Sequence, residues 1–254
     1  MTAILGVRGV TRKFGGLVAV KQLDMQIEPN ALYGLIGPNG AGKTTVFNLL
    51  TGVYRPDEGA IELEGRRIDG LKPSRIARLG MSRTFQNIRL FASMTVLENV
   101  KLAGHLSRNH GLADVIFRTP RFSRDEHEIE RAARELLEIF KLDTKEDELA
   151  INLPYGSQRR LEIARALATK PKVLLLDEPA AGMNPLESRE LVQLIRSIRD
   201  RFGLTVLLVE HNMKVVMEVC ERIQVIDYGE TIALGTPREI QDSPKVIEAY
   251  LGGA

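Results

Sequence analysis

The sequence predicts an α/β fold in which a strand-rich lobe is interrupted by a helical one. Short apolar, strand-like runs cluster at both ends of the 254-residue chain, while the middle, from about 88 to 170, is dominated by helical periodicity. A glycine-rich stretch from Gly37 to Thr45 stands directly between a strand-like run and a helix-like one. Strands on both sides of a helical middle point to an inserted lobe rather than to two consecutive domains.

Strand-like segments fall near 4–10, 18–28, 31–37, 60–68, 173–177, 204–209 and 222–235. The run Ala31-Leu32-Tyr33-Gly34-Leu35-Ile36 is short and apolar throughout, as a strand buried on both faces must be. Helical patterns occupy about 43–52, 95–106, 124–141, 156–169, 185–201 and 236–251. In the first of these, Val46, Leu49, Leu50 and Val53 repeat at helical spacing. Thr95-Val96-Leu97-Glu98 and Ser123-Arg124-Asp125-Glu126 both fit a capping box, in which a hydroxyl and a carboxylate satisfy N–H groups at a helix start. Downstream of the second box, Ile129, Ala132, Ala133, Leu136, Leu137 and Phe140 trace one apolar stripe, which reads as core. Residues 105–122 lack periodicity and read as an irregular connection whose Arg108, Arg118 and Arg121 form a solvated surface.

Composition excludes several classes. Lys plus Arg number 35 against 33 Asp plus Glu, a net charge of +2, so the basic excess that drives nonspecific nucleic-acid binding is absent. Apolar runs fall short of the roughly 18 to 20 residues that cross a bilayer, and the amino terminus lacks a basic region followed by an apolar one. The expectation is a cytosolic or peripheral protein. The single cysteine, Cys220, follows Val215-Val216-Met217-Glu218-Val219 and reads as a small core residue. Cys and His form no metal-binding cluster, and His105, His110 and His127 fall in or near the irregular connection.

The chemistry begins at Gly37-Pro38-Asn39-Gly40-Ala41-Gly42-Lys43-Thr44-Thr45. Backbone N–H groups of such a loop can wrap a triphosphate, Lys43 can reach its outer phosphates, and the Thr44 hydroxyl can ligate Mg²⁺. The helix that follows aims its positive end at the same anion. Lys172 to Glu178 is an apolar strand delivering Asp177 and Glu178 at its end, where open α/β sheets place ligands. Asp177 suits Mg²⁺, and Glu178 suits polarisation of an attacking water. The strand 204–209 is followed by Glu210-His211, so His211 comes to the same sheet edge. There His211 could hydrogen-bond the γ-phosphate and hold the water, although by spacing alone an ordinary polar residue at a strand end explains it better.

Taken together, the phosphate loop, Gln86, Leu153 to Arg165, Asp177-Glu178 and His211 resemble the nucleotide-binding subunits of ABC transporters along essentially the whole chain. The resemblance implies a P-loop (RecA-like) ATPase core with an antiparallel β subdomain and an inserted α-helical subdomain. That is one ATPase domain over 1–254, with 1–87 and 171–254 as core and 88–170 as the helical part carrying the signature segment. It also implies a head-to-tail dimer closing on two ATP molecules. Phe14 would stack on adenine beside Ala19, Gln86 would bind Mg²⁺ or water while linking the two lobes, and Tyr155, Gly156 and Ser157 would contact the ATP of the opposite subunit. Residues near Arg89, Leu90 and Phe91 would line the groove that receives a coupling helix of a membrane subunit.

A finer resemblance rests on Phe14 to Val20, Arg83-Thr84-Phe85-Gln86, Tyr155-Gly156 with Arg159 to Arg165, Glu178 to Pro185, Glu210-His211-Asn212-Met213 and the ending Ala249-Tyr250-Leu251-Gly252. These look like the branched-chain amino-acid importer ATPases. That family implies an unlike second ATP-binding subunit, two integral-membrane permeases, a substrate-binding protein acting through them, a place at the cytoplasmic face of the inner membrane, and no nucleic acid. Other small solutes, or lipid export, are the alternatives, since exporters share the catalytic residues. A soluble relative acting on nucleic acid would need long coiled coils, fused ATPase domains or a basic face.

Two segments depart from the family pattern. Where the signature usually reads LSGGQ, this chain has Leu153-Pro154-Tyr155-Gly156-Ser157, and where SALD is usual it has Ala181-Gly182-Met183-Asn184. Pro154 offers neither hydroxyl nor N–H, Ser157 is shorter than glutamine, and Asn184 replaces a carboxylate. These changes weaken the site this chain completes on its partner: with a different ATPase of fuller signature as partner, the chain's own site is expected to be the better hydrolytic one, whereas a homodimer would have two weakened sites. A non-hydrolysing binding module is the reading that Pro154 and Asn184 suggest and Glu178 and His211 oppose.

Overall fold

The computed structural model describes residues 3–107 and 120–251, which divide into two compact units, one formed by residues up to Arg83 with those from Lys172, the other by Thr84–Pro171. Arg108, His110 and Arg118 of the expected connection, and Gly252, lie outside the described residues.

The first unit contains two sheets. β1 (Leu5–Phe14) and β2 (Leu17–Ile27) form a hairpin, and with β4 (Glu58–Leu63) and β5 (Arg66–Arg67) they make an antiparallel sheet in the order β2-β1-β4-β5. The larger sheet adds β3 (Leu32–Ile36), β6 (Met81–Arg83), β7 (Val173–Asp177), β8 (Thr205–Val209), β9 (Arg222–Asp227) and β10 (Glu230–Gly235), in the order β10-β9-β3-β8-β7-β6. β9 through β6 run parallel, and only the β9–β10 pair is antiparallel. Every residue of β3, β7 and β8 is buried, which is why these strands read as unbroken apolar runs instead of alternating ones.

Helix α1 (Lys43–Leu50) shares a core with both sheets: Phe47 and Leu50 join Leu5 and Ile61 of the small sheet and Leu35 and Leu207 of the large one. Packing on both sides fixes the glycine-rich loop that precedes it. The unit also holds α2 (Pro73–Arg78). In the second unit, α3 (Val96–Gly104) packs on α4 (Pro120–Ile139) and on α5 (Tyr155–Ala168). Ile129, Ala133, Leu136, Leu137 and Phe140 of the expected stripe are buried there. Back in the first unit, α6 (Pro185–Phe202), α7 (Met213–Val219), α8 (Pro237–Gln241) and α9 (Pro244–Leu251) complete the chain. Among the described residues, no helix is long and apolar enough to cross a membrane.

Several expected boundaries shift. The Thr95 capping box is present, with Thr95 Oγ1 accepting from the Glu98 N–H at 3.1 Å and Glu98 Oε2 accepting from the Thr95 N–H at 2.8 Å. The Ser123 box is not a cap, because α4 begins upstream at Pro120. Proline suits a first helical position, where its missing N–H is not needed. Ser123 therefore sits inside the helix, its carbonyl accepting from His127 Nδ1 at 2.6 Å. The single strands expected at 60–68 and 222–235 are each two strands, broken where Gly65 (φ 72°) and Gly229 (φ 81°) permit a left-handed turn. The helix expected over 236–251 breaks at Asp242 and Ser243 into α8 and α9, each beginning at a proline. Cys220 is buried after α7, and burial pushes its thiol up to about 12.

Candidate functional site at the carboxyl edge of the large sheet

β3, β8 and β7 are neighbours in the sheet, and each delivers a loop at its carboxyl end: the glycine-rich stretch after β3, Glu210-His211 after β8, and Asp177-Glu178 at the end of β7. Sequence places these residues far apart, and strand order alone gathers them at the edge where α/β sheets bind ligands.

The glycine-rich loop is held by close backbone approach. A side chain at Gly37 would put its Cβ 2.0 Å from the Ile226 carbonyl oxygen, and one at Gly42 (φ 105°) would lie 2.5 Å from the Ala19 carbonyl. Only glycine fits either position. Ala19 thus touches the loop through its backbone. Gly42 is the N-cap of α1, so the loop's N–H groups and the positive helix end converge. Lys43 is buried and donates to the carbonyls of Gly37 at 2.7 Å and Pro38 at 2.8 Å. Burial pushes its ammonium below the ordinary lysine value, opposed by the charges of Glu178 and then Asp177. A cavity of about 840 Å³ opens beside residues 37–41, bounded also by His211 and by Lys245 and Tyr250 of α9.

At the end of β7, the Asp177 carboxylate accepts from Arg83 Nη2 at 2.7 Å, both side chains being buried. Arg83 also donates to Asn48 Oδ1 at 2.7 Å and lies 5.3 Å from the centre of the Phe47 ring, which ties Asp177 to α1. Glu178 adopts φ 47°, a left-handed conformation that costs a non-glycine residue roughly 1–2 kcal/mol. Its N–H donates to the Val209 carbonyl at 2.8 Å, locking it to β8. His211 Nε2 lies 2.6 Å from Glu178 Oε1, so the ring donates to that carboxylate. Behind them, buried Glu210 accepts from the Ala180 N–H at 2.7 Å through one oxygen and from His211 and Asn212 at 3.1 and 3.3 Å through the other. Burial pushes the Glu210 carboxyl up, against the lowering effect of those N–H groups.

Phe14 ends β1 and is 38 % exposed; the Arg12 guanidinium lies 4.7 Å from its ring centre and Tyr54 meets it edge-on at 5.2 Å. Gln86 and Tyr155 to Ser157 belong to the other unit. There Pro154 is the N-cap of α5, Tyr155 is its exposed first residue, and Phe91 is half exposed under the Arg165 guanidinium, 5.4 Å from its ring centre.

The sequence reading assigned no role to Arg83, Glu210 or Tyr250. A polar side chain one strand away from an acidic strand end, or just before a candidate histidine, was the only signal for the first two. Tyr250 is on α9 and receives a hydrogen bond from the Gly37 backbone, which opposes the upward push of burial on its hydroxyl.

The model of the family described as ABC transporter matches residues 20–181, more than half of the chain. The chain belongs to the ABC transporter family. A second model, described as branched-chain amino acid ATP-binding cassette transporter, matches residues 230–254. The high-affinity branched-chain amino acid transport ATP-binding protein BraF of Pseudomonas aeruginosa is 49 % identical over 251 residues, covering 99 % of this chain and 98 % of BraF. LivG of Escherichia coli, which carries the same description, is 48 % identical with the same coverage. Among solved structures, the ADP conformation of an ATP-binding cassette of an ABC transporter superposes with a TM-score of 0.86 at 30 % identity, covering 99 % of this chain and 100 % of the other. As an ABC transporter ATPase, the chain binds nucleotide.

Proposed function

We propose that this chain is the ATP-hydrolysing subunit of an importer for branched-chain or related amino acids. It works at the cytoplasmic face of the membrane with an unlike second ATP-binding subunit and two permeases fed by a substrate-binding protein. The observation that carries the hydrolytic part is the 2.6 Å contact between His211 and Glu178 beside the phosphate loop. The cargo rests on the similarity to BraF and LivG along nearly the whole chain.

In this reading both units form one ATPase domain. Gly37 to Thr45 wrap the phosphates, and the Lys43 ammonium exchanges its two loop carbonyls for phosphate oxygens of the outer groups. Phe14 stacks on the adenine beside Ala19. Glu178 accepts a proton from the attacking water as it develops charge, while His211 orients that carboxylate and reaches the γ-phosphate. Tyr155, Gly156 and Ser157 serve the opposite subunit's ATP.

The donor set fits Mg²⁺, which prefers oxygen ligands and keeps several waters. Thr44 and Asp177 offer hydroxyl and carboxylate oxygens, Gln86 of the other unit would add an amide oxygen, and among the described residues no His, Cys, Asp and Glu cluster would favour a softer metal. Held there, Mg²⁺ would supply positive charge that offsets the charge of the phosphate oxygens.

Mass spectrometry of what co-purifies with the chain from gently solubilised native membranes tests the assignment. Two multi-span permeases, a second unlike ATPase and an amino-acid-type binding protein are expected. Nucleic acid or ribosomal proteins from the soluble fraction, with no membrane subunit, would overturn the transport reading.

A further inference from the structure

In the helical unit, an ion pair is buried almost completely: Arg159 is 0 % and Glu162 2 % exposed, with Nη1 and Oε2 2.8 Å apart. Isolating two charges from water is costly, and an apolar pair of similar volume would often be as stable. Stability therefore does not explain the pair, and its remaining contacts do. Arg159 Nη1 donates to the Phe85 carbonyl at 2.6 Å, and Nη2 donates to the Gln86 carbonyl at 2.7 Å and to Tyr155 Oη at 3.2 Å. Glu162 Oε1 accepts from the N–H groups of Phe85 at 3.3 Å and Arg89 at 3.2 Å. The pair grips the segment 85–89 by both backbone donors and acceptors.

No other side chain could do this from one position. A guanidinium presents its donors in a rigid planar fork, so it can span two successive carbonyls, a hydroxyl and a carboxylate, whereas an ammonium is a single point. The fork's last contact is the informative one, because Tyr155 stands at the exposed start of α5.

We propose that Arg159, backed by Glu162, is a positioning residue that couples the Gln86 loop to Tyr155, and so links the nucleotide site this chain holds to the one it completes on its partner. This rests on the roles proposed above for Gln86 and Tyr155. A shift of the Gln86 backbone drags the guanidinium and with it the Tyr155 hydroxyl. The two sites of a dimer are then coordinated through a rigid connection inside each helical unit.

The test is a double-mutant cycle on the assembled transporter, combining Arg159→Lys with Gln86→Ala, with steady-state phosphate release and ATP binding to the isolated chain as readouts. Arg159→Lys alone is expected to cut turnover about ten- to a hundred-fold through misplacement, with KM and own-site ATP affinity changed less than about twofold if no phosphate contact is lost. In the Gln86→Ala background the same change should cost less than about twofold, because the lever no longer has a load. Fully additive losses would overturn the coupling while leaving the ATPase reading intact. If Arg159→Lys does not fold, Tyr155→Phe, which removes only the hydroxyl that the guanidinium holds, must show the same non-additivity, and additivity there overturns the coupling equally. Wild-type protein without ATP turnover in the assembled transporter would overturn both the coupling and the functional reading beneath it.

Discussion

Glu178→Gln separates binding from hydrolysis at this site. Glutamine keeps the volume of a side chain that is only 9 % exposed, tolerates the same φ of 47°, and retains an oxygen that can accept from His211 Nε2. What disappears is the basicity and the negative charge. Losing a positioned general base costs typically 10²- to 10⁴-fold, which is about 2.7–5.4 kcal/mol in the barrier. Binding should not weaken, because Lys43 and the loop N–H groups are untouched and one negative charge near the triphosphate is removed. The charge effect on Lys43 runs the other way, since Glu178 is the larger of the two charges holding the ammonium up against burial, but the phosphates take over that part in the complex. Steady-state phosphate release and a nucleotide-fluorescence titration on wild type and variant give both numbers. Turnover within threefold of wild type would refute the assignment of the base. Loss of binding in parallel with turnover would refute the separation of roles, and would mean that the His211 contact holds the loop itself.

Lys43→Ala removes the charged contacts to phosphate, worth about 1.5–3 kcal/mol, so ATP affinity should fall by on the order of 10- to 10²-fold; unchanged affinity in a titration would exclude Lys43 as a phosphate ligand. Glu210→Ala strands the N–H groups of Ala180, His211 and Asn212, at about 1–3 kcal/mol for each one left buried without a partner. At roughly 2–4 °C per kcal/mol for a chain of this size, a thermal melt should show a drop of about 5 °C or more, and an unchanged melting temperature would show that water replaces the carboxylate. Ser157→Gln should raise turnover at the site completed in trans while leaving this chain's own ATP affinity alone; a rise in that affinity would contradict the division of labour.

Strands buried on both faces made the large sheet legible, because β3, β7 and β8 are unbroken apolar runs whose ends carry the phosphate loop, Asp177-Glu178 and His211. β6 was missed: Met81–Arg83 is three residues long, too short for any period to register, yet it carries the Arg83 that holds Asp177. The β1–β2 hairpin was read as two strands, but those at Glu64-Gly65 and Tyr228-Gly229 were each read as one. The turn at Tyr228-Gly229 is only two residues long, and Tyr228, 85 % exposed, is a residue type that strands favour, so nothing in the local composition marks the reversal of the chain. His211 illustrates the opposite case. Its spacing favoured an ordinary residue, and only the β7–β8 register, which brings Asp177 opposite Val209, puts the ring against Glu178. Contacts set by strand order have no local signature.

The departures from the family pattern do not carry equal weight once their contacts are known. Asn184 is the N-cap of α6: its Oδ1 accepts from Leu186 and Glu187, and Glu187 accepts in return from the Asn184 N–H at 2.9 Å. Asparagine and aspartate cap helices about equally well, so the helix start is kept and only the charge is lost. Pro154 also serves as an N-cap, but with no side chain to offer. The neighbouring Gln158 does not stand in for the absent glutamine, since its amide donates back to the Leu153 carbonyl at 2.9 Å. What α5 presents at its start is then Tyr155, the Gly156 backbone and the short Ser157. The expected asymmetry therefore narrows to Pro154 and Ser157, two positions in the first turn of one helix. A partner subunit with a fuller signature would complete this chain's site well and receive the weaker complement in exchange, which assigns the main hydrolytic work of a mixed dimer to the site built on Lys43 and Glu178.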